Sequence, residues 1–100
     1  MVKITSSVAK NRLDDVEKEK QFWCQDGRYL KNLQELKAAL EGMKEETFQS
    51  HVNETKNDFS TWVNDVIGDD KLARDLRKSA SPAQAAKAVA ARIAYLKDKK

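Results

Sequence analysis

Apolar residues in the second half of the chain recur at helical spacing. Phe59, Trp62, Val63, Val66 and Ile67 stand at i, i+3, i+4, i+7 and i+8, the stripe of an amphipathic helix. Asn57 or Asp58 caps its start and Gly68 ends it. Asp69 or Asp70 then opens another helix, with Leu72, Ala73 and Leu76 turned inward and Arg74, Arg77 and Lys78 outward. Ser81-Pro82 reads as an N-cap followed by proline at the first helical position. The helix it starts runs to about Lys97 and buries Ala86, Val89, Ile93 and Leu96, while its Ala83-Lys87-Ala90-Ala94 side carries mostly small residues. Upstream, Asn32 and Glu35 form a capping-box pattern ahead of Leu33, Leu36 and Leu40. Gly42 is expected to supply a left-handed stop. A short helix follows from Lys44 to Asn53, with Phe48 and Val52 buried and Glu45 and Glu46 in its first turn, where the helix dipole favours negative charge.

Before residue 31 the pattern changes. Phe22-Trp23-Cys24 and Arg28-Tyr29-Leu30 flank Asp26-Gly27, a dipeptide that tolerates positive φ in a tight turn, which predicts a β-hairpin. A two-stranded hairpin is marginal alone, so it should rest on helices through Phe22, Trp23 or Tyr29. Residues 1–20 carry only scattered apolar side chains (Val2, Ile4, Val8, Leu13 and Val16) and read as a polar, extended or frayed arm, with at most a helical turn near Asp14–Lys20. The expected architecture is mainly α: a compact bundle of about five short helices with one small β-hairpin near the N-terminus. It comprises the arm at 1–20 and a single helical domain at 21–100 whose C-terminal third is basic.

Composition narrows the function classes. The chain has 100 residues, 40% hydrophobic and 35% charged, with three Gly, one Pro, one Cys and one His. No stretch approaches the roughly 20 apolar residues that cross a bilayer, so no membrane is expected. The first residues lack the apolar run of a signal peptide, and a single cysteine, with no internal partner, suits a reducing cytoplasm. Net charge is +3, but it is unevenly spread: residues 1–70 hold ten Lys/Arg against fourteen Asp/Glu, and residues 71–100 hold nine against two. An acidic body thus adjoins a basic end, an asymmetry that can mark a surface for nucleic acid or an acidic partner. The set Arg74, Arg77, Lys78, Lys87 and Arg92 is the candidate interaction surface. The competing explanation is that these charges solubilise an alanine-rich helix.

The parts for catalysis or metal binding are few. Zinc needs three or four Cys, His or carboxylate ligands at short range, and one Cys and one His do not provide them. Asp65-Val66-Ile67-Gly68-Asp69-Asp70 puts Val66 and Ile67 where a calcium loop needs oxygen ligands. Gly27, Gly42 and Gly68 stand apart and form no phosphate cradle, and the paired carboxylates Asp14-Asp15, Glu45-Glu46 and Asp69-Asp70 read as caps or first-turn charges. No catalytic residue, metal or cofactor is therefore expected. His51, Asn57 and Trp23 remain as a candidate polar site, with His51 hydrogen-bonded to the hairpin or to the Asn53–Asn57 loop. Cys24, in an apolar strand, reads as a small buried hydrophobe.

Phe22-Trp23-Cys24-Gln25-Asp26-Gly27-Arg28, Leu33-Gln34-Glu35-Leu36, His51-Val52-Asn53 and above all Asn57-Asp58-Phe59-Ser60-Thr61-Trp62 resemble a small prokaryotic family, best represented in archaea, whose function is unknown. The resemblance spans roughly residues 13–78, and the Asn-Asp-Phe-x-x-Trp core is its most specific part. It implies a compact accessory domain in the cytoplasm and no reaction. The leading expectation is a non-enzymatic module that binds a protein, as a monomer or weak homodimer through the small-residue face of the last helix. The second is a nucleic-acid-associated protein that holds the phosphate backbone through the basic third. The third is an enzyme or small-ligand binder around His51 and Asn57.

Overall fold

The computed structural model describes residues 4–100, which leaves Met1, Val2 and Lys3 of the predicted arm outside the described residues. Six α-helices and one two-stranded antiparallel sheet make up the described residues: α1 (Ser6–Leu13), β1 (Phe22–Trp23), β2 (Tyr29–Leu30), α2 (Leu33–Glu41), α3 (Glu45–His51), α4 (Asp58–Trp62), α5 (Asp70–Arg77) and α6 (Pro82–Lys99). The mainly helical expectation with one small hairpin holds, with six helices where the sequence pattern indicates about five.

The additional helix is α1, within the segment read as a polar arm. Thr5 caps it, its Oγ1 accepting the Val8 N–H at 3.2 Å, and Ala9 is fully buried. α1 packs on α6 and α2. Its weak apolar periodicity hides it from sequence, because its attachment rests on one small buried residue, on the half-buried Leu13 packed against the core, and on a charge: Arg12 reaches the Asp69 carboxylate at 3.3 Å. A short 3-10 turn at Lys18–Lys20 follows, near the place where a helical turn is expected.

The hairpin pairs Phe22 with Leu30 and Trp23 with Tyr29. Strand alternation sends Phe22 and Leu30 into the core and Trp23 and Tyr29 out of it, as the period of two requires. The Gly27 N–H donates to the Cys24 carbonyl at 2.8 Å and the Cys24 N–H to the Arg28 carbonyl at 2.7 Å. Gln25 and Asp26 are thus the centre of the turn, and Gly27, at φ +98°, takes the left-handed bulge position after it.

Capping residues set the helix starts as their chemistry predicts. Asn32, Asn57, Asp69 and Ser81 each accept the N–H three residues on, from Glu35, Ser60, Leu72 and Gln84. Glu35 Oε1 accepts the Lys31 N–H, one residue before the cap, at 3.0 Å. Gly42 departs from expectation: its φ is −109°, not left-handed. The Met43 N–H closes back on the Leu40 carbonyl at 3.3 Å, and this tight turn ends α2 without a positive φ.

The Phe59 stripe also departs from a single α-helix. After Trp62 the chain widens into a π turn over Val63–Ile67, closed by Gly68 at φ +83°, whose N–H reaches the Val63 carbonyl five residues back at 2.8 Å. Val63 and Ile67 stay buried while Val66 is half-buried, and Asn64 and Asp65 face solvent.

Helix α6 is the centre of the bundle, packed by α2, α1 and α5. Val89 and Leu96 on it are completely buried, with Ala85, Ala86 and Ile93 beside them. Ala83 and Ala94, on the small-residue side, are exposed. One side chain ties three of these elements together. Asp69, fully buried, caps α5 and accepts from Arg92 Nε of α6 at 2.8 Å and Arg12 of α1 at 3.3 Å. A carboxylate this deep is tolerable because each oxygen has a partner and two guanidinium groups neutralise it.

Candidate interaction surface

His51 ends α3 and is only 5% exposed. Its Nε2 accepts the Gln25 N–H at 3.0 Å, so the ring proton sits on Nδ1 and is donated to Asp58 Oδ2 at 3.1 Å. Asp58, the first residue of α4, also pairs with Lys56 at 3.2 Å. The imidazole is walled by Phe22 at 5.1 Å, Phe59 at 5.2 Å and the edge of Trp23 at 6.5 Å. Both ring nitrogens are thus engaged, one on the hairpin turn and one on the α4 N-terminus. This arrangement locks the hairpin against the helices.

Cys24 is fully buried, and burial pushes its thiol pKa above the ordinary value. That keeps the sulfur protonated and a poor nucleophile. Asp26 is the opposite case at the surface: the Arg28 guanidinium, at 2.6 and 3.0 Å, holds its carboxyl down to about 2. The pair clamps the turn, with the Arg28 N–H also on Asp26 Oδ1.

Of the three residues in the predicted polar site, His51 and Trp23 adjoin, and Asn57 has a different task. Its Oδ1 caps α4 and its Nδ2 donates to the Leu76 carbonyl at 3.0 Å, stitching α4 to the end of α5. Trp23 is 52% exposed, and Tyr29, directly opposite it on β2, is 63% exposed. The sequence offers Trp23 or Tyr29 as a partly exposed contact residue of a hairpin too short to cover both, and the structure exposes both, Tyr29 being the one outside the candidate polar site. Its signal was the alternation across Asp26-Gly27, which puts it on the same face as Trp23 once Phe22 and Leu30 are assigned to the core. The two residues share one exposed cross-strand position, an aromatic ledge whose Trp23 side borders a shallow cavity of about 330 Å³ where the hairpin meets α3 and α4, bounded also by Gln21, Ser50, Lys56 and Asp58.

The basic residues are dispersed among partners. Arg74 pairs with Asp70 at 3.3 Å, and Lys71 with Asp75. Arg92 is 12% exposed, held by Asp69, with its guanidinium 4.7 Å from the Tyr95 ring centre. Arg77 is exposed but its Nε donates to Ser60 Oγ at 3.1 Å. Lys78 and Lys87 are exposed. Much of the positive charge counted in the C-terminal third is therefore neutralised locally or engaged in holding the fold.

No protein-family model, curated protein or solved structure matches this chain.

Proposed function

We propose that this chain is a non-enzymatic protein-interaction module that docks its partner on the Trp23–Tyr29 ledge. The observation that carries this reading is the exposure of two large aromatic side chains at one cross-strand position, 52% and 63%, in a sheet of only two strands. Tryptophan and tyrosine are the residues most enriched at energetic centres of protein interfaces, because they bury large area at small entropic cost. The ledge is also pre-organised. Its strand is held by the His51 bond to Gln25 and by the Asp26–Arg28 clamp, so little ordering is left to do on binding. The accessory-domain reading of residues 13–78 and a reducing, cytoplasmic setting for a chain with one buried thiol are part of the same proposal. No helix among the described residues is long and apolar enough to cross a membrane.

The test is affinity capture with nuclease-treated extract, followed by reconstitution with the purified partner. The wild-type chain should retain one protein at stoichiometric level. A Trp23→Ala/Tyr29→Ala variant with an unchanged melting curve should lose it by at least about 30-fold in affinity, the scale of hot-spot truncation. Equal retention by the variant refutes the ledge. Binding that nuclease abolishes, or that follows Arg74, Arg77 and Lys78 reversal to Glu and weakens steeply with salt, replaces the reading with the nucleic-acid one.

A further inference from the structure

Arg77 is set apart from the other arginines. Arg12, Arg28, Arg74 and Arg92 each meet a carboxylate; among the described residues Arg77 meets none. Its guanidinium is nevertheless fixed. Nε donates to Ser60 Oγ at 3.1 Å, and the Ser60 hydroxyl, only 4% exposed, donates in turn to the Ala73 carbonyl at 2.7 Å. Ser60 is held in turn by Asn57, which accepts its N–H at 3.0 Å and is bound to the Leu76 carbonyl. The hydrogen-bond chain engages Nε, the Nη pair at the end of the fork has no partner among the described residues, and Arg77 lines a groove of about 550 Å³. That groove lies between the Asn53–Lys56 loop and the start of the π turn. Asn57, Ser60, Thr61, Asn64 and Asp65 line it with Arg77. π turns recur at functional sites, where the widened backbone opens a recess.

We propose that this groove is a binding site for a carboxylate group, held end-on by the two Nη atoms of Arg77. A planar anion with two oxygens matches the fork, a geometry that the point-like ammonium of a lysine in the same place would not offer. The other charges select the ligand. Glu54 and Asp65 lie on the same groove together with Lys56, whose charge is taken up by Asp58 at 3.2 Å; the two groove carboxylates repel polyanions and dianionic phosphate, so a singly charged carboxylate on an otherwise neutral or zwitterionic body fits best. A free amino acid and a peptide C-terminus share that chemistry. This site meets the cavity beside the aromatic ledge only at Lys56, which lines both, and does not depend on Trp23 or Tyr29.

The experiment follows the Arg77 Nε–H resonance and the Ser60 and Thr61 amides of isotope-labelled protein during titration. The probes are N-acetyl-trialanine, its C-terminal amide, free alanine and inorganic phosphate. The free acid should produce saturable shifts confined to the groove, and the amide none. Arg77→Lys keeps the charge but lacks the fork, and should weaken binding by at least about tenfold while the remaining spectrum reports an intact fold. Saturation by alanine as well assigns the site to small carboxylates, and saturation by the peptide acid alone assigns it to C-termini. Any of four results overturns the proposal: no saturable shift at about 20 mM probe, well into the millimolar range of weak sites; equal binding of acid and amide; tighter binding of phosphate; or undiminished binding by Arg77→Lys.

Discussion

Replacing Asp69 with alanine should be the most damaging single change that touches no apolar core side chain. The carboxylate is completely buried and serves three elements at once, as cap of α5 and as counter-charge to Arg92 and Arg12. Removing it leaves two guanidinium groups, 12% and 22% exposed, without their anion. Breaking a buried ion pair from one side costs about 3–5 kcal/mol, because the remaining charge stays desolvated and unpaired. Loss of the cap adds about 1 kcal/mol. The partial exposure of Arg12 and relaxation of both arginines toward water reduce the total, so about 3–4 kcal/mol is the working figure. A domain of this size has only about 5–15 kcal/mol to lose. Since 1 kcal/mol moves the midpoint of a 60–100-residue domain by about 4–8 °C, the melt should fall by roughly 12–30 °C. Urea denaturation followed by tryptophan fluorescence, with Asp69→Asn alongside, checks this. Asparagine keeps the cap but not the charge, so it should recover only the capping part. A loss below about 1 kcal/mol for Asp69→Ala would refute the argument, since that is the scale of an exposed salt bridge.

Three further outcomes are expected. Gly68→Ala should cost about 1–2 kcal/mol because φ is +83°, whereas Gly42→Ala, at φ −109° with open space around it, should be neutral or stabilise by about 0.4–1 kcal/mol; urea midpoints of the two decide whether backbone conformation is the cause. Cys24 should react with a thiol reagent at least about tenfold more slowly in the folded than in the urea-unfolded chain, because burial keeps it protonated. With its folded pKa raised, its contribution to stability is complete below the unfolded value of about 8.5 and fades as pH rises beyond it. The Asp26 carboxyl should titrate near 2 by carbon NMR and return toward 3.8 in Arg28→Ala; being lowered on folding, its contribution is present above 3.8 and is lost as pH falls through about 2. An unchanged midpoint in the variant would show that Arg28 is not the cause.

Most of the helical framework was legible from the sequence because its signals are local. A cap accepts an N–H three residues away, and a stripe is a matter of spacing at i, i+3 and i+4, so Asn32, Asn57, Asp69 and Ser81-Pro82 mark their helices without reference to the rest of the chain. The same holds for Phe22 and Leu30 inside and Trp23 and Tyr29 outside, once Asp26-Gly27 fixes the reversal. The π turn was not legible, since its apolar positions also satisfy an ordinary helix until Gly68 closes five residues back on Val63. Helix α1 was hidden as well. Its own composition stabilises it poorly, and what anchors it is the meeting of Arg12 with a carboxylate on the far side of the chain. Charge gave the largest divergence. Counting placed a basic surface at residues 71–100, whereas folding gave Arg92 to the distant Asp69 and left Arg77 oriented but, among the described residues, unpaired by a carboxylate; the Asp70–Arg74 pair, one turn apart on α5, is local. Sequence by itself determined which segments are helical and which faces are apolar, because those follow from short-range hydrogen bonding and periodic burial. Only the tertiary structure decided which charges are buried and cancelled and which side chains are held open, because both depend on residues brought together from distant positions, where a few ångströms separate a buried ion pair from a free cation.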